Sequence, residues 1–149
     1  MRFGTLLISA TLLACASPSL AQTVVDGDTI KLNGTTWRLW GIDAPESRQW
    51  CGHYPAGARA TEMLDQLMRG KSIDCEDRGT DQYGRTIGLC RANGDDLGAI
   101  MVRLGMAWAF VRYSRDYVEQ EAKARANKLG VHAHPCAPAW EWRAQMRVQ

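Results

Sequence analysis

Two tight-turn signals enclose a strand of only four residues. Asp26-Gly27-Asp28 precedes the run Thr29-Ile30-Lys31-Leu32, and Asn33-Gly34 follows it. Asn-Gly between alternating runs is the strongest short-range hairpin signal, because both residues accept the positive φ that a type I′ turn requires. The run from Thr29 to Leu32 alternates with period two, as a half-buried strand does. Thr35 to Ile42 continues with β-branched and aromatic residues, which favour strand. The stretch from Val24 to Ile42 is therefore committed to three strands joined by tight turns, a meander.

Beyond it the period changes. From Ala56 to Arg69, Ala60, Met63, Leu64, Leu67 and Met68 recur on one helical face, and Gly70 stands where a helix C-cap belongs. Strands are predicted over Lys71–Cys75 and about Thr86–Arg91, with Asn93-Gly94 as a turn. A second helix is predicted over Asp96–Leu104, stopped by Gly105. A third runs from near Ser114 or Asp116 to near Lys128, where Glu121 and Arg125 form an i,i+4 pair. Pro135 and Pro138 bracket Cys136, so the tail from about Val131 is expected to be irregular. Strands, helix, strands and helices in this order match an α+β domain: a five-stranded OB-fold β-barrel with about three helices. The 149 residues carry no internal repeat or long linker and fit one such domain over 22–149.

Hydrophobic residues make up 46% and charged residues 23%, which excludes a disordered tail, a fibrous repeat and a multi-span membrane protein. The net charge is +2, from 18 Lys+Arg against 16 Asp+Glu, too small for a bulk electrostatic coat on nucleic acid. Only Lys31, Lys71, Lys123 and Lys128 are lysines, however, and the remaining cations are arginines. Guanidinium groups bind carboxylates and phosphates as a two-pronged fork, so a focused arginine site stays open.

The first residues read as an address. Arg2 precedes an apolar stretch from Phe3 to Ala16 that is too short to span a bilayer, and Ser19-Leu20-Ala21 is a small-x-small cleavage site. A signal peptide over 1–21 is expected, with a mature chain from Gln22, exported to a periplasm or secreted. Lipoprotein processing at Cys15 is the competing expectation. No other segment approaches the roughly 18 apolar residues a membrane span needs.

Four cysteines remain, Cys51, Cys75, Cys90 and Cys136, which allow three pairings into two disulfides. Cys75 and Cys90 end two predicted strands on either side of a turn-rich segment, so they can face each other; Cys51–Cys136 is then the second bridge. The rival is a zinc site, since Cys51-x-His53 and His132-x-His134-x-Cys136 have ligand-like spacing. An oxidising compartment favours the disulfides.

Three segments carry chemistry: Asp26-Gly27-Asp28-Thr29, then Arg38-Leu39-Trp40-Gly41-Ile42-Asp43-Ala44-Pro45-Glu46, then Asp81-Gln82-Tyr83-Gly84-Arg85. Each alone reads as a turn. Together they supply two carboxylates at strand ends, a third acid three residues on, and two arginines from different elements. Paired carboxylates with a backbone carbonyl suit a hard cation. Arginines suit the charge that develops on a phosphoryl group. A spare glutamate beside them can orient or deprotonate a water.

In these segments and in Val102-Arg103-Leu104-Gly105-Met106-Ala107 the chain resembles the staphylococcal nuclease (thermonuclease) family, over about Val24 to Gly130. The resemblance implies an OB-fold, calcium-dependent phosphodiesterase acting on DNA and RNA. It implies that Asp28, Asp43 and the backbone carbonyl of Ala44 hold Ca2+. It implies further that Glu46 activates or positions the attacking water, and that Arg38 and Arg85 grip the scissile phosphate. Tyr83 would hold the nucleotide. The aromatic that stacks on the base lies among Phe110, Tyr113 and Tyr117, with Tyr113 the choice. Gln82 stands where the best-known member has lysine.

The expected partner is thus nucleic acid, single-stranded by preference, with no stable protein partner, and a monomer is expected. The reading from a different class is a non-catalytic OB-fold module that binds single strands. Pure binding has no use for buried carboxylates that repel phosphate, which favours the nuclease. The segment Trp140-Glu141-Trp142-Arg143 is read as packing, with a stacking platform as the competing reading.

Overall fold

The computed structural model describes residues 22–148; the expected signal peptide and Cys15 lie outside the described residues. The meander forms as β1 (Gln22–Asp26), β2 (Thr29–Leu32) and β3 (Thr35–Leu39), paired antiparallel in succession. The register slips between Val24 and Asp26. Such a bulge re-aims the side chains beside it, and Asp26 lines a cleft of about 790 Å³. Predicted as one strand to Ile42, the third element breaks after Leu39. Gly41 takes φ +68, which a branched residue resists, and the chain turns there into a short β4 (Ile42–Asp43).

Helix α1 (Ala56–Met68) follows the expected bounds within one residue and buries Ala60, Leu64 and Met68. Strand β5 (Ile73–Thr80) runs well past the predicted Cys75, pairing antiparallel with β6 (Thr86–Ala92) through a second bulge between Asp77 and Gly79. Its outer half is wholly exposed, so no hydrophobic alternation marks it in the sequence. β7 (Asp95–Asp96) pairs with β6 and leads into α2 (Leu97–Arg103), whose N-cap Asp96 accepts the Ala99 amide. β8 (Trp108–Ala109) pairs with β4. The two-residue strands carry too little periodicity to be predicted.

The sheet order is β1-β2-β3-β6-β5, with β3 and β6 parallel and Arg38 opposite Ile87. This α+β architecture of a mixed sheet with helices is that of the OB-like fold expected from the element order. Ile30, Leu39, Ile42, Leu64, Leu97 and Met101 are fully buried between the sheet, α1 and α2. Each such side chain contributes roughly 1.5–3 kcal/mol relative to exposure.

Helix α3 (Val118–Ala126) starts later than expected. Ser114 accepts the Asp116 amide through its hydroxyl, making a local turn, and Tyr117 points inward to donate to Asp96 at 2.8 Å. The tail is not irregular. A 3-10 turn (Gly130–Ala133) is followed by α4 (Ala139–Met146), begun directly after Pro138. The proline read as a breaker sits where a helix start tolerates it.

Both expected disulfides form, Cys75–Cys90 across β5 and β6, and Cys51–Cys136. Cys51 and Cys136 are consumed by that bond, so the zinc reading loses its thiolates. Cys51, Ala56, Trp108, Val131 and Ala139 make a second small core that seats the tail. Among the described residues no helix is long and apolar enough to cross a membrane.

Candidate active site

Asp28 sits in the β1–β2 turn and is buried. The β2–β3 register pairs Thr29 with Arg38, which brings the guanidinium across to the Asp28 carboxylate, with which it forms an ion pair. The same guanidinium donates to Asp43 Oδ1 at 2.7 Å and to the Ile42 carbonyl at 3.2 Å. The Ala44 amide donates to Asp28 Oδ2 at 2.7 Å, stitching the β1–β2 turn to the segment after β4. Asp43 is 0% exposed, beneath the floor rather than on it.

Burial alone would raise Asp28, but the Arg38 charge and the Ala44 amide outweigh it and hold the carboxyl below its ordinary 3.8. Arg38 rises above its usual value for the complementary reason: Asp28 and Asp43 overcome its own burial. Among the described residues no arginine pairs with Asp26. Burial, then the Asp28 charge, push it up to about 6.

Arg85 arrives from the other side. The parallel pairing of β3 with β6 sets the β5–β6 turn beside the acids, and Asp81 organises that turn. Asp81 accepts the Tyr83 amide at 2.8 Å, the Arg85 amide at 3.0 Å and Arg85 Nε at 2.7 Å. These bonds outweigh burial and hold Asp81 below the usual carboxylate range. Arg85 Nη1 reaches Thr29 Oγ1 at 3.4 Å, and its side chain stays 31% exposed to the cleft. Tyr83 lies outermost, with the Arg85 guanidinium 5.6 Å from its ring centroid.

Glu46 is held by the turn that contains it. Its amide donates to Gln49 Oε1, and α1 begins so close that a Cβ on Gly57 would run into the Glu46 carbonyl oxygen. Asp26, Asp28, Arg38, Ala44, Glu46 and Arg85 border one cleft of about 790 Å³, as do Tyr83 and Tyr113. Every expected site residue except the submerged Asp43 is at its surface. Of the three candidate stacking aromatics, Tyr117 is excluded by burial, while Phe110 and Tyr113 line the cleft edge to face at 5.0 Å.

The cleft also holds residues the sequence reading missed. Trp140, Arg143 and Ala144 line it from α4, and Arg147 from the C-cap just past its end. Their spacing of three, four and seven is one helical face, legible once the tail is taken as a helix. Trp140 packs on Trp108 and Phe110, and Arg143 donates to Asp43 and Glu46. Reading this segment as packing holds for Trp140 and fails for Arg143.

Residues 36–134 match the family model described as "Staphylococcal nuclease homologue". The chain belongs to the staphylococcal nuclease family. An "Uncharacterized endonuclease" of Escherichia coli O157:H7 is 35% identical over 129 residues, covering 80% of this chain and 80% of that protein. A "Micrococcal nuclease" of Shigella flexneri is 36% identical over 138 residues, covering 80% and 76%. A "Staphylococcal-like nuclease" of Arabidopsis thaliana is 34% identical over 114 residues, covering 74% of this chain but 33% of its own. Within this staphylococcal nuclease homologue, Arg38, Asp43, Glu46 and Arg85 fall inside the matched span, whereas Asp28 and Arg143 lie outside it.

Proposed function

We propose that this chain is an exported, calcium-dependent nuclease that hydrolyses phosphodiester bonds of DNA or RNA by in-line attack of an activated water. One observation carries the reading: Arg38 bridges the buried acids Asp28 and Asp43, and Asp28, Arg38, Glu46 and Arg85, from different elements, border one cleft. The nuclease and endonuclease names of the relatives support it.

The residues fit a hard cation. Asp28, Asp43 and the Ala44 carbonyl offer only oxygen, the donor type a hard cation takes. A bound Ca2+ supplies positive charge that polarises the phosphodiester. The remaining chemistry belongs to side chains. Glu46 accepts a proton from the water whose oxygen forms the new bond to phosphorus, while the bond to the leaving ester oxygen breaks on the opposite side and that oxygen leaves with the bonding pair and takes a proton from solvent. Arg85 has guanidinium donors to spare for the non-bridging oxygens, and Arg38 adds its charge from below. Tyr83 and Tyr113 flank the cleft, where a base stacks best when unpaired, favouring a single strand. The two disulfides support export. A module that only binds strands gains nothing from acids that repel phosphate.

Hydrolysis of a single-stranded oligonucleotide, followed with excess chelator and then with calcium restored, tests the reading. Cleavage should vanish with the chelator and return with calcium. Full activity in chelator removes the cation assignment.

A further inference from the structure

Arg143 is the unexpected cation of the site. Its Nη2 donates to Asp43 Oδ2 at 2.7 Å, while its Nη1 reaches Asp43 Oδ1 at 3.2 Å and Glu46 Oε1 at 2.6 Å. One guanidinium thus spans both oxygens of the buried acid and the carboxylate beside it, an exceptionally strong geometry. It uses the lone pairs that a divalent cation at Asp43, or a water at Glu46, would need. Two positive groups drawing on the same oxygens in a half-buried site compete rather than add.

Helix α4 is anchored by the Cys51–Cys136 bond, by Gln49 donating to the Ala137 carbonyl at 2.7 Å, and by Trp140 against Trp108. The Arg143 side chain itself is 32% exposed at the cleft. The guanidinium therefore keeps a solvent-facing side while it pairs with the acids. Arg112 and Arg147 line the same cleft, so a phosphate chain bound there meets further guanidinium groups.

We propose that Arg143 is a built-in stand-in for the cation: it neutralises Asp43 and Glu46 in the cation-free enzyme, and cation binding turns it out to the phosphate backbone. This rests on the calcium reading above. It separates Arg143 from Arg38, which lies 11% exposed between Asp28 and Asp43.

The test is calcium binding by the full chain, measured by titration calorimetry without nucleic acid, for wild type, Arg143→Gln and Arg143→Lys. Removing a competitor must tighten binding. Arg143→Gln should bind calcium at least ~10-fold more tightly than wild type, and Arg143→Lys should fall between them, since an ammonium keeps the charge but not the fork. Equal or weaker binding by Arg143→Gln overturns the proposal while leaving the calcium reading intact. Absence of binding in all three removes both. Should the variants fail to fold, the arginine side-chain NMR signals of the wild type decide. The Arg143 Nε–H resonance should shift as calcium saturates, and a resonance that stays in place overturns the stand-in role.

Discussion

Gln49 and Ala137 are joined by a 2.7 Å hydrogen bond across 88 positions of chain, and the same Gln49 side chain accepts the Glu46 amide at 3.2 Å. Gln49 is 1% exposed, so both bonds are made in a site where water cannot replace them. The turn that carries Glu46 is thereby tied to the segment that carries α4. Two residues on, Cys51 bonds Cys136 and ties them again.

The two disulfides should therefore differ in function. Cys51–Cys136 closes a separation of 85 residues and Cys75–Cys90 one of 15, worth about 4.5 and about 3 kcal/mol in the chain-entropy view. Both pairs removed in turn should lower the melting temperature. Only Cys51→Ala with Cys136→Ala should also cut turnover at a temperature where the protein is still folded, by ~10-fold, about 1.4 kcal/mol of transition-state stabilisation. Equal turnover losses from the two double variants would show that the tail does not position the site.

The two arginines expected at the phosphate should separate in stability. Arg38 is 11% exposed and is shared by two buried acids, Asp28 and Asp43, whereas Arg85 is 31% exposed and pairs with one, Asp81, whose 4%-exposed carboxylate also accepts the Tyr83 and Arg85 amides. Removing the shared partner of two buried acids costs about 3–5 kcal/mol, while Asp81 keeps its two backbone amide donors when the Arg85 guanidinium is removed and so loses less. Urea unfolding without divalent cation should find Arg38→Ala far less stable than Arg85→Ala. Similar midpoints would contradict this division.

Asp26 gives a pH signature of the cation-free pocket. Its carboxyl is raised to about 6 in the folded chain against 3.8 unfolded, first by burial and then by Asp28. The folded form therefore holds the proton more tightly. This group's contribution is fully present below 3.8 and is lost as pH rises through about 6. In chelator, Asp26→Asn keeps an acceptor for the Asp28 amide and should melt above wild type at pH 7, by roughly 2–4 °C, about 1 kcal/mol after solvent screening. The gap should narrow toward pH 4. A gap that does not change with pH would refute the raised carboxyl.

What the sequence made legible was local. The Asn33-Gly34 turn and the alternation around it specify the meander without help from distant residues. The segments holding Asp28, Arg38, Asp43, Glu46 and Arg85 each combine a turn with a charged group, so they stand out from their surroundings. Arg143 did not stand out. Its neighbours Pro135 and Pro138 suggest irregular chain, and its partners lie 97 and 100 positions away. Nothing local marks a contact made only when α4 docks on the second core. The outer half of β5 was missed for a related reason: it is held by ladder hydrogen bonds to β6, with no buried face to impose period two. Tyr117 shows the converse, an aromatic at plausible spacing for stacking that the core claims instead.

The central claim is that this cleft breaks phosphodiester bonds, with Arg85 acting on the phosphate chiefly in the transition state. Turnover and affinity of Arg85→Ala on a single-stranded oligonucleotide, at saturating calcium, test it most directly. Turnover should fall by at least ~10²-fold, the usual cost of losing one strong transition-state donor, while affinity changes far less. Cleavage at the wild-type rate would contradict the cleft as the reactive site, and an affinity loss equal to the rate loss would contradict the role given to Arg85.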